Sequence, residues 1–183
     1  MIDNHSKVLA IRCDVRYPQG YPHDGTNGDV SKLMKLVKES HTERKVGMHY
    51  VWVREQATSE VPHYHALLLV NGDRVRSPYG ILKKMEDVWG RVIGSDPSGL
   101  VDHCNHAHDG KPGIGHVPLK RPSSKAQGEE RTRQEERFNA ARAELDDRAS
   151  YLIKTHTKGG APKRVREFGA SQLKPKRGEA PQD

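Results

Sequence analysis

The sequence has few of the features that define several other classes of protein. It holds only two cysteines, Cys13 and Cys104, and neither belongs to a CxxC pattern. We therefore expect neither a disulfide framework nor a thiolate zinc site. No run of apolar residues is long enough to cross a bilayer, so no membrane partner is expected. The opening MIDNHSKVLAIRCD lacks the basic and apolar layout of a signal peptide, which predicts a protein that stays in the cell that makes it.

Positive charge is confined to two segments. The formal net charge is +7. Residues 154–183 hold eight Lys or Arg against three acids, and residues 111–128 hold four with no acid, which leaves the rest of the chain slightly acidic. This distribution favours a surface for a polyanion. The alternative is a disordered basic tail that binds nothing in particular.

The length of 183 residues allows one good core and is too short for two full domains without a clear linker. We expect one domain over residues 1–158 and a basic, partly flexible C-terminal tail over residues 159–183. The tail prediction rests on several glycines and prolines, which favour irregular structure.

The first half of the chain predicts a strand, a loop, a helix and a hairpin. Residues 7–16 alternate as a strand does, and residues 31–40 place four apolar side chains on one helical face, with Asp29 or Ser31 as the N-cap: these are Leu33, Met34, Leu36 and Val37. Residues 48–55 and 63–70 are rich in β-branched, aromatic and aliphatic types and are separated by a short polar stretch. They are expected to pair as an antiparallel hairpin.

The second half predicts two more helices. Ser77 as N-cap, Pro78 at the first helical position and Gly94 as the stop define a helix. Its apolar face is Ile81, Leu82, Met85, Val88, Trp89 and Val92. One or two short strands are expected within residues 95–128, and a charged helix over residues 129–156. This order of elements predicts an α+β fold with helices on one face of an antiparallel sheet, as in ferredoxin-like proteins.

Two histidines open the second strand of the hairpin. In a strand, residues two apart point to the same face, so His63 and His65 project side by side while Tyr64 points away. Same-face imidazoles are well placed to bind one cation. The competing interpretation is a pair of hydrogen-bonded strand histidines that arises by chance in a chain with 11 histidines.

A carboxylate near the histidines favours the metal interpretation. A short hairpin brings Glu55 or Gln56 across from the pair, and Glu60 in the turn is a weaker candidate for the third ligand. Whether Glu55 shares the histidine face depends on a register that the sequence leaves open. Two histidines and a carboxylate form a mixed site with open positions, which suits Mg²⁺ or Mn²⁺ acting on phosphate.

A second motif, YLIK, lies near the end of the last predicted helix. Tyr151 and Lys154 are three residues apart and therefore share a helical face, where Lys154 can bind a phosphate or favour phenolate. Alone, this YxxK pattern more often marks a packed aromatic near a surface charge. Together with the HYH motif it is more specific.

With these two motifs the sequence resembles the single-tyrosine HUH endonucleases, which carry a strand-borne histidine pair and a downstream helical YxxK. More narrowly, it resembles the rolling-circle replication initiators of the inovirus Gp2-like and YagK/YfjJ-like group. The matching segments include RCDVRYP, YVWVREQ, PHYHALLLVN, YLIKTHTKG and REFGASQ. Tyr64 stands where the motif usually has a bulky hydrophobe, and the histidine-rich residues 101–116 have no counterpart.

The resemblance implies a central sheet of the HUH type and a metal-dependent reaction on single-stranded DNA or an origin hairpin. His63, His65 and Glu55 would bind the metal. Tyr151 would attack the scissile phosphate with help from Lys154, leaving a 5′-phosphotyrosine and a 3′-OH that primes synthesis by host replication proteins. We therefore expect a cytoplasmic protein of a bacterial host cell.

Basic residues are expected to contact DNA phosphates. The candidates are Lys158, Lys163, Arg164, Arg166, Arg12 and Arg16. A second histidine group matches no closed zinc motif, so contact with solvent or DNA is favoured over a second metal; its members are His103, Cys104, His106, His108 and His116. The alternative functions are a relaxase or transposase of the same single-tyrosine type, or a non-catalytic DNA-binding regulator.

Overall fold

An antiparallel sheet forms the centre of the fold, and helices pack on it. The computed structural model describes residues 1–56, 59–105, 115–156 and 161–172. Within those residues the elements are β1 Lys7–Val15, α1 Gly28–Glu43, β2 Met48–Glu55, β3 His63–Asn71, α2 Tyr79–Ile93, β4 Val101–Asp102, β5 His116–Lys120, α3 Gly128–His156 and β6 Phe168–Ala170. These strands form one six-stranded sheet. Five of them follow the order β4-β1-β3-β2-β6, and the sixth, β5, pairs with β1. The predicted α+β class is confirmed.

The predicted hairpin is present and its register is defined. β2 pairs antiparallel with β3, with Val53 opposite His65 and Glu55 opposite His63. β1 pairs antiparallel with the other edge of β3 and places Asp14 opposite His65. Because residues directly opposite each other in a pair share one face of the sheet, these side chains all project to the same side.

Alternation along the strands gives the sheet two different faces. On one face, residues such as Ile11, Tyr64 and Leu68 pack against α1 and α2 in the larger core cluster. On the other face, residues such as Val53 and Leu67 pack against α3 in a smaller cluster. We call these the α1/α2 face and the α3 face. The expectation that all helices lie on one face was wrong, because α3 covers the opposite side.

The helices begin and end close to the predicted positions, with local differences. α1 starts at Gly28, so Asp29 lies in its first turn rather than at the cap and accepts hydrogen bonds from the hydroxyls of Tyr17 and Tyr21. Leu36 is 37% exposed, and Val30 is buried on that helix instead. Gly94 ends α2 in the left-handed conformation, at a φ of 66° that favours glycine.

The C-terminal segment contributes a strand that the sequence did not predict. β6 pairs with β2, with Phe168 opposite Val53 and Ala170 opposite Val51, and so forms an edge of the sheet. Both cysteines are free thiols, as expected. Among the described residues, no helix is long and apolar enough to cross a membrane.

Candidate metal centre

Three side chains converge where the hairpin strands meet on the α3 face. Glu55 Oε2 lies 3.1 Å from His63 Nε2 and 2.8 Å from His65 Nε2. One ligand atom from each of the three residues lies within 4.8 Å of the others. The three form the one such group of potential metal ligands in the described part of the chain. We call them the HHE triad.

The register identifies which acid reaches the histidines. Glu55 is directly opposite His63, whereas the neighbouring Gln56 points elsewhere and accepts a hydrogen bond from Arg54. The Gln56 side-chain amide also donates to the backbone carbonyls of Ser59 and Glu60, 3.2 Å away in each case. Of the three candidates for the third ligand, Glu55 is therefore the one that the structure brings to the imidazoles.

A fourth residue, Asp14, supports the triad from β1. Its Oδ1 lies 2.7 Å from His65 Nδ1, and both side chains are largely buried. His65 Nε2 in turn lies 2.8 Å from Glu55 Oε2, within hydrogen-bond distance, so a metal bound here would replace the Nε2 proton while Nδ1 donates to Asp14. Histidines that bind metals usually donate their other ring N–H to a carboxylate or carbonyl in this way.

Asp14 was not among the predicted site residues, although the sequence contained one signal for it. It is the one acid in the largely apolar strand KVLAIRCDV, and the residue is only 7% exposed. A carboxylate almost never occupies a buried position without a partner. The residue that it pairs with, however, depends on the β1–β3 register, which the sequence alone did not define.

The electrostatics of the four groups are coupled. Burial lowers the pKa of His65, but hydrogen bonds and charge from Asp14 and Glu55 outweigh burial and hold that pKa above its usual value. Burial and the neighbouring His65 lower the pKa of His63. For Asp14, burial is outweighed by the hydrogen bond and charge of His65, so its pKa lies below the ordinary range. The buried Asp14 thus carries negative charge at neutral pH, which favours a cation at this position.

The side chain of Cys104 lies beside that of Asp14. Burial, with the negative charge of Asp14 adding to it, raises the pKa of the Cys104 thiol to about 12. The thiol is therefore protonated at neutral pH in the absence of a metal. It is not one of the residues of the HHE triad.

Arg12 and Arg16, two of the predicted DNA contacts, occupy different environments. Arg12 lies on the triad face, with Nη2 3.7 Å from Asp14 Oδ1 and a side chain only 18% exposed. Arg16 is about half exposed and lies 3.9 Å from Asp102. Arg12 therefore contributes positive charge inside the site, whereas Arg16 is accessible at its edge.

The helix that carries Tyr151 and Lys154 crosses the face on which the triad lies. Both residues fall in α3, and their side chains are not among those the structure describes. Leu152, between them, is 2% exposed and belongs to the same buried cluster as Val53 and Leu67. Val53 is paired with His65, and Leu67 is two residues beyond it on the same face. The end of α3 is therefore anchored to the strands that carry the triad.

Three of the remaining predicted DNA contacts lie at the same end of the sheet. Lys163, Arg164 and Arg166 are exposed and immediately precede β6. The backbone N–H of Arg54 donates to the carbonyl of Glu167, which fixes this segment beside the end of β2. Lys158 lies outside the described residues.

The second histidine group is divided between different elements. His103 Nε2 lies 3.3 Å from Glu86 Oε1 on α2, and His116 belongs to β5, opposite Ile11. His106 and His108 lie outside the described residues. In the part of the chain that the structure describes, these residues form no second group of metal ligands.

The donor set of the triad fits a divalent cation. Two imidazole nitrogens and one carboxylate oxygen on one side leave the other coordination positions open to water or substrate. Asp14 supplies the supporting hydrogen bond, and the burial of His65 limits its freedom to turn away. The identity of the metal does not follow from these ligands, because Mg²⁺, Mn²⁺ and Zn²⁺ all accept mixed nitrogen and oxygen ligands.

Fold and site together define an α+β domain with a His/Glu group able to bind a metal ion on one face of its sheet. The chain belongs to the YagK/YfjJ C-terminal domain family, whose sequence profile matches residues 1–109. The match includes β1 to β4, and hence Asp14 and the whole triad, and ends before α3. The comparisons with curated proteins and with solved structures found no match.

Proposed function

We propose that this protein is a metal-dependent endonuclease that nicks and rejoins single-stranded DNA through a 5′-phosphotyrosine, and so initiates rolling-circle replication of a phage or related mobile element. The observation that carries the proposal is the convergence of Glu55, His63 and His65 on the face that α3 crosses. α3 carries Tyr151, the proposed nucleophile, and Lys154.

The residues of the triad would bind Mg²⁺ or Mn²⁺. When bound, such an ion supplies charge stabilisation to the oxygens of a scissile phosphate. Asp14 keeps His65 in the tautomer whose Nε2 faces the site, and Glu55 contributes a negative oxygen opposite His63. These side chains are held in position because the cores on both faces of the sheet fix the register of the strands that carry them.

The covalent step belongs to Tyr151. Its phenolic oxygen attacks phosphorus, a bond from tyrosine to the 5′-phosphate forms, and the bond to the 3′-oxygen breaks to leave a free 3′-OH. A phenol has a pKa of about 10 and is a poor nucleophile at neutral pH. The positive charge of Lys154, three residues away on the same helix, favours the phenolate.

The products suit replication of a circle. The free 3′-OH primes a host polymerase, and the phosphotyrosine ester keeps the 5′ end for rejoining. Since the motif has a single tyrosine, resealing requires a second molecule or another nucleophile. The exposed Lys163, Arg164 and Arg166 lie beside the triad end of β2, where they are available to bind the DNA backbone.

The test is to incubate the protein and Mn²⁺ with single-stranded oligonucleotides from the replication origin of the element that encodes it. A covalent protein–DNA adduct should appear on a denaturing gel and disappear with EDTA. Tyr151→Phe should abolish it, while Tyr79→Phe, at an exposed position on α2, should leave it unchanged. His63→Ala and His65→Ala should also abolish it while retaining DNA binding. No adduct with wild type, or an equal adduct with Tyr151→Phe, would overturn the proposal.

A further inference from the structure

A second concentration of positive charge lies at the opposite end of β1 from the triad. A pocket of about 570 Å³ is lined there by the start of β1, the end of β5 with the loop that follows it, and the first turns of α3. Its four basic side chains are Lys7, Lys120, Arg121 and Arg131, and no acid is among the lining residues. Two of them belong to the basic segment 111–128, which the proposed reaction does not use.

The sheet itself forces two of these charges together. Lys7 and Lys120 are directly opposite each other in the β1–β5 pair. Like charges at directly opposed positions destabilise a sheet unless something neutralises them. Asp73 neutralises Lys7 from outside the pocket, at 3.3 Å. Within the described part of the chain, Lys120 has no ion-pair partner.

Arg121 likewise has no ion-pair partner among the residues that the structure describes. Its guanidinium donates to the backbone carbonyl of Asp3 at 3.0 Å, which fixes the side chain without cancelling its charge. Arg131 is paired with Glu135 on its own helix and donates to the carbonyl of Ser123. The pocket thus presents two uncompensated cations, Lys120 and Arg121, and the hydroxyl-bearing Ser123 and Ser124 to solvent.

We infer that this pocket binds phosphates of the single-stranded DNA that the triad acts on, as a second contact away from the point of cleavage. The inference rests on the proposed function. Lys7 and Asp14 are seven residues apart on β1, so the pocket lies about 23 Å from the triad at ~3.3 Å per residue. Phosphates held there are too far away to take part in the reaction, so the contact serves affinity and orientation.

The test is a salt series of oligo-dT binding by fluorescence anisotropy, in EDTA so that no cleavage occurs. The wild-type protein is compared with Lys120→Ala/Arg121→Ala. Two lost phosphate contacts should lower the magnitude of the slope of log affinity against log salt by about 1.4, since each single-strand contact contributes ~0.7. Affinity at low salt should fall about tenfold, as two surface ionic contacts permit.

Two further variants keep the test specific. Lys32→Ala removes an exposed charge from α1, and should change neither the slope nor the affinity. Lys120→Arg/Arg121→Lys keeps both charges and should bind as the wild-type protein does. An unchanged slope in the double alanine variant, or an equal change in Lys32→Ala, would overturn the inference, as would an effect seen only on duplex DNA.

Adduct formation separates this inference from the proposed function. At saturating DNA, Lys120→Ala/Arg121→Ala should form the Mn²⁺-dependent adduct at the wild-type rate, and half-saturation should need about tenfold more DNA. If this variant forms the adduct normally and its half-saturation is unchanged, the inferred DNA contact at the pocket is wrong and the proposed reaction stands. If the salt slope is lowered in Lys120→Ala/Arg121→Ala but the wild-type protein forms no adduct, the DNA contact at the pocket is supported and the proposed reaction is overturned.

Discussion

The two faces of the sheet are made by alternate residues of the same strands and differ sharply in composition. On β3, Tyr64, Ala66 and Leu68 are fully buried on the α1/α2 face. Their neighbours His65 and Leu67 point to the α3 face. Leu67 belongs to the apolar cluster there, whereas His65, near the start of the strand, belongs to the triad. Every second residue of β3 thus packs in the larger core, whereas the residues between them pack under α3 along most of the strand and form the polar site only at its start.

The difference shows where a small domain can place polar chemistry. Among the described residues, the α1/α2 face buries twenty-three residues in one cluster, whereas the α3 face buries eight. The larger core holds the strands in register. The smaller one leaves the end of the strands free for charged groups, whose burial must be balanced by pairing.

The largest effect on stability is expected on the α1/α2 face. Leu68→Ala should lower the free energy of unfolding by about 3–5 kcal/mol, because it leaves a cavity in a fully packed region. Leu67→Ala, one residue away on the α3 face, should cost about 2 kcal/mol, since the sparse contacts of α3 allow partial collapse. Urea unfolding of both variants measures the difference. Equal losses would contradict the contrast between the faces.

Removal of a ligand charge should affect metal binding more than folding. Glu55→Gln keeps the shape of the side chain but removes its negative charge, so Mn²⁺ affinity should fall about 100-fold, or ~2.7 kcal/mol. Isothermal titration calorimetry measures this, and Glu60→Gln serves as the matched control in the adjoining turn. Unchanged affinity in Glu55→Gln would show that the carboxylate is not a ligand.

Loss of the supporting carboxylate should have a smaller effect on the same site. Asp14→Asn removes the negative partner of His65 Nδ1, so Mn²⁺ affinity should fall about tenfold, as is typical for groups that orient a metal-bound histidine. The matched control is Asp102→Asn, an acid of β4 opposite Asp14 in the sheet. A drop as large as that of Glu55→Gln would indicate that Asp14 binds the metal itself.

The smallest effect concerns the thiol beside Asp14. Because burial and the charge of Asp14 raise the pKa of Cys104 to about 12, iodoacetamide should modify it slowly at pH 8. Asp14→Asn should lower that pKa and speed modification several-fold, with the fully buried Cys13 as an internal control. Mass spectrometry of timed samples measures the rates. The same rate in both proteins would contradict the placement of Asp14 beside Cys104.

Much of the fold followed from local patterns in the sequence. Strong signals such as Gly94 and the paired apolar runs identified α2 and the β2–β3 hairpin, because turn chemistry and periodicity act over a few residues. The histidine pair was recognisable for the same reason, since residues two apart on a strand always share a face.

The parts that were missed depend on contacts between distant segments. Asp14 meets His65 across 51 residues of sequence, and β6 pairs with β2 across more than a hundred. α3 lies opposite the other helices because its sparse apolar positions match the second face of the sheet, and its own sequence does not specify which face it covers. Glu55 could be chosen among the three candidates for the third ligand only once the hairpin register was known.

Mapping the site of the protein–DNA adduct tests whether the α3 face joins a metal site to a tyrosine nucleophile. After incubation with Mn²⁺ and an origin oligonucleotide, the protein is digested with trypsin and the DNA-linked peptide is identified by mass spectrometry. We expect the DNA on the peptide of residues 149–154, in which Tyr151 is the only tyrosine. Attachment at another tyrosine, or an adduct that forms equally well without metal, would contradict it.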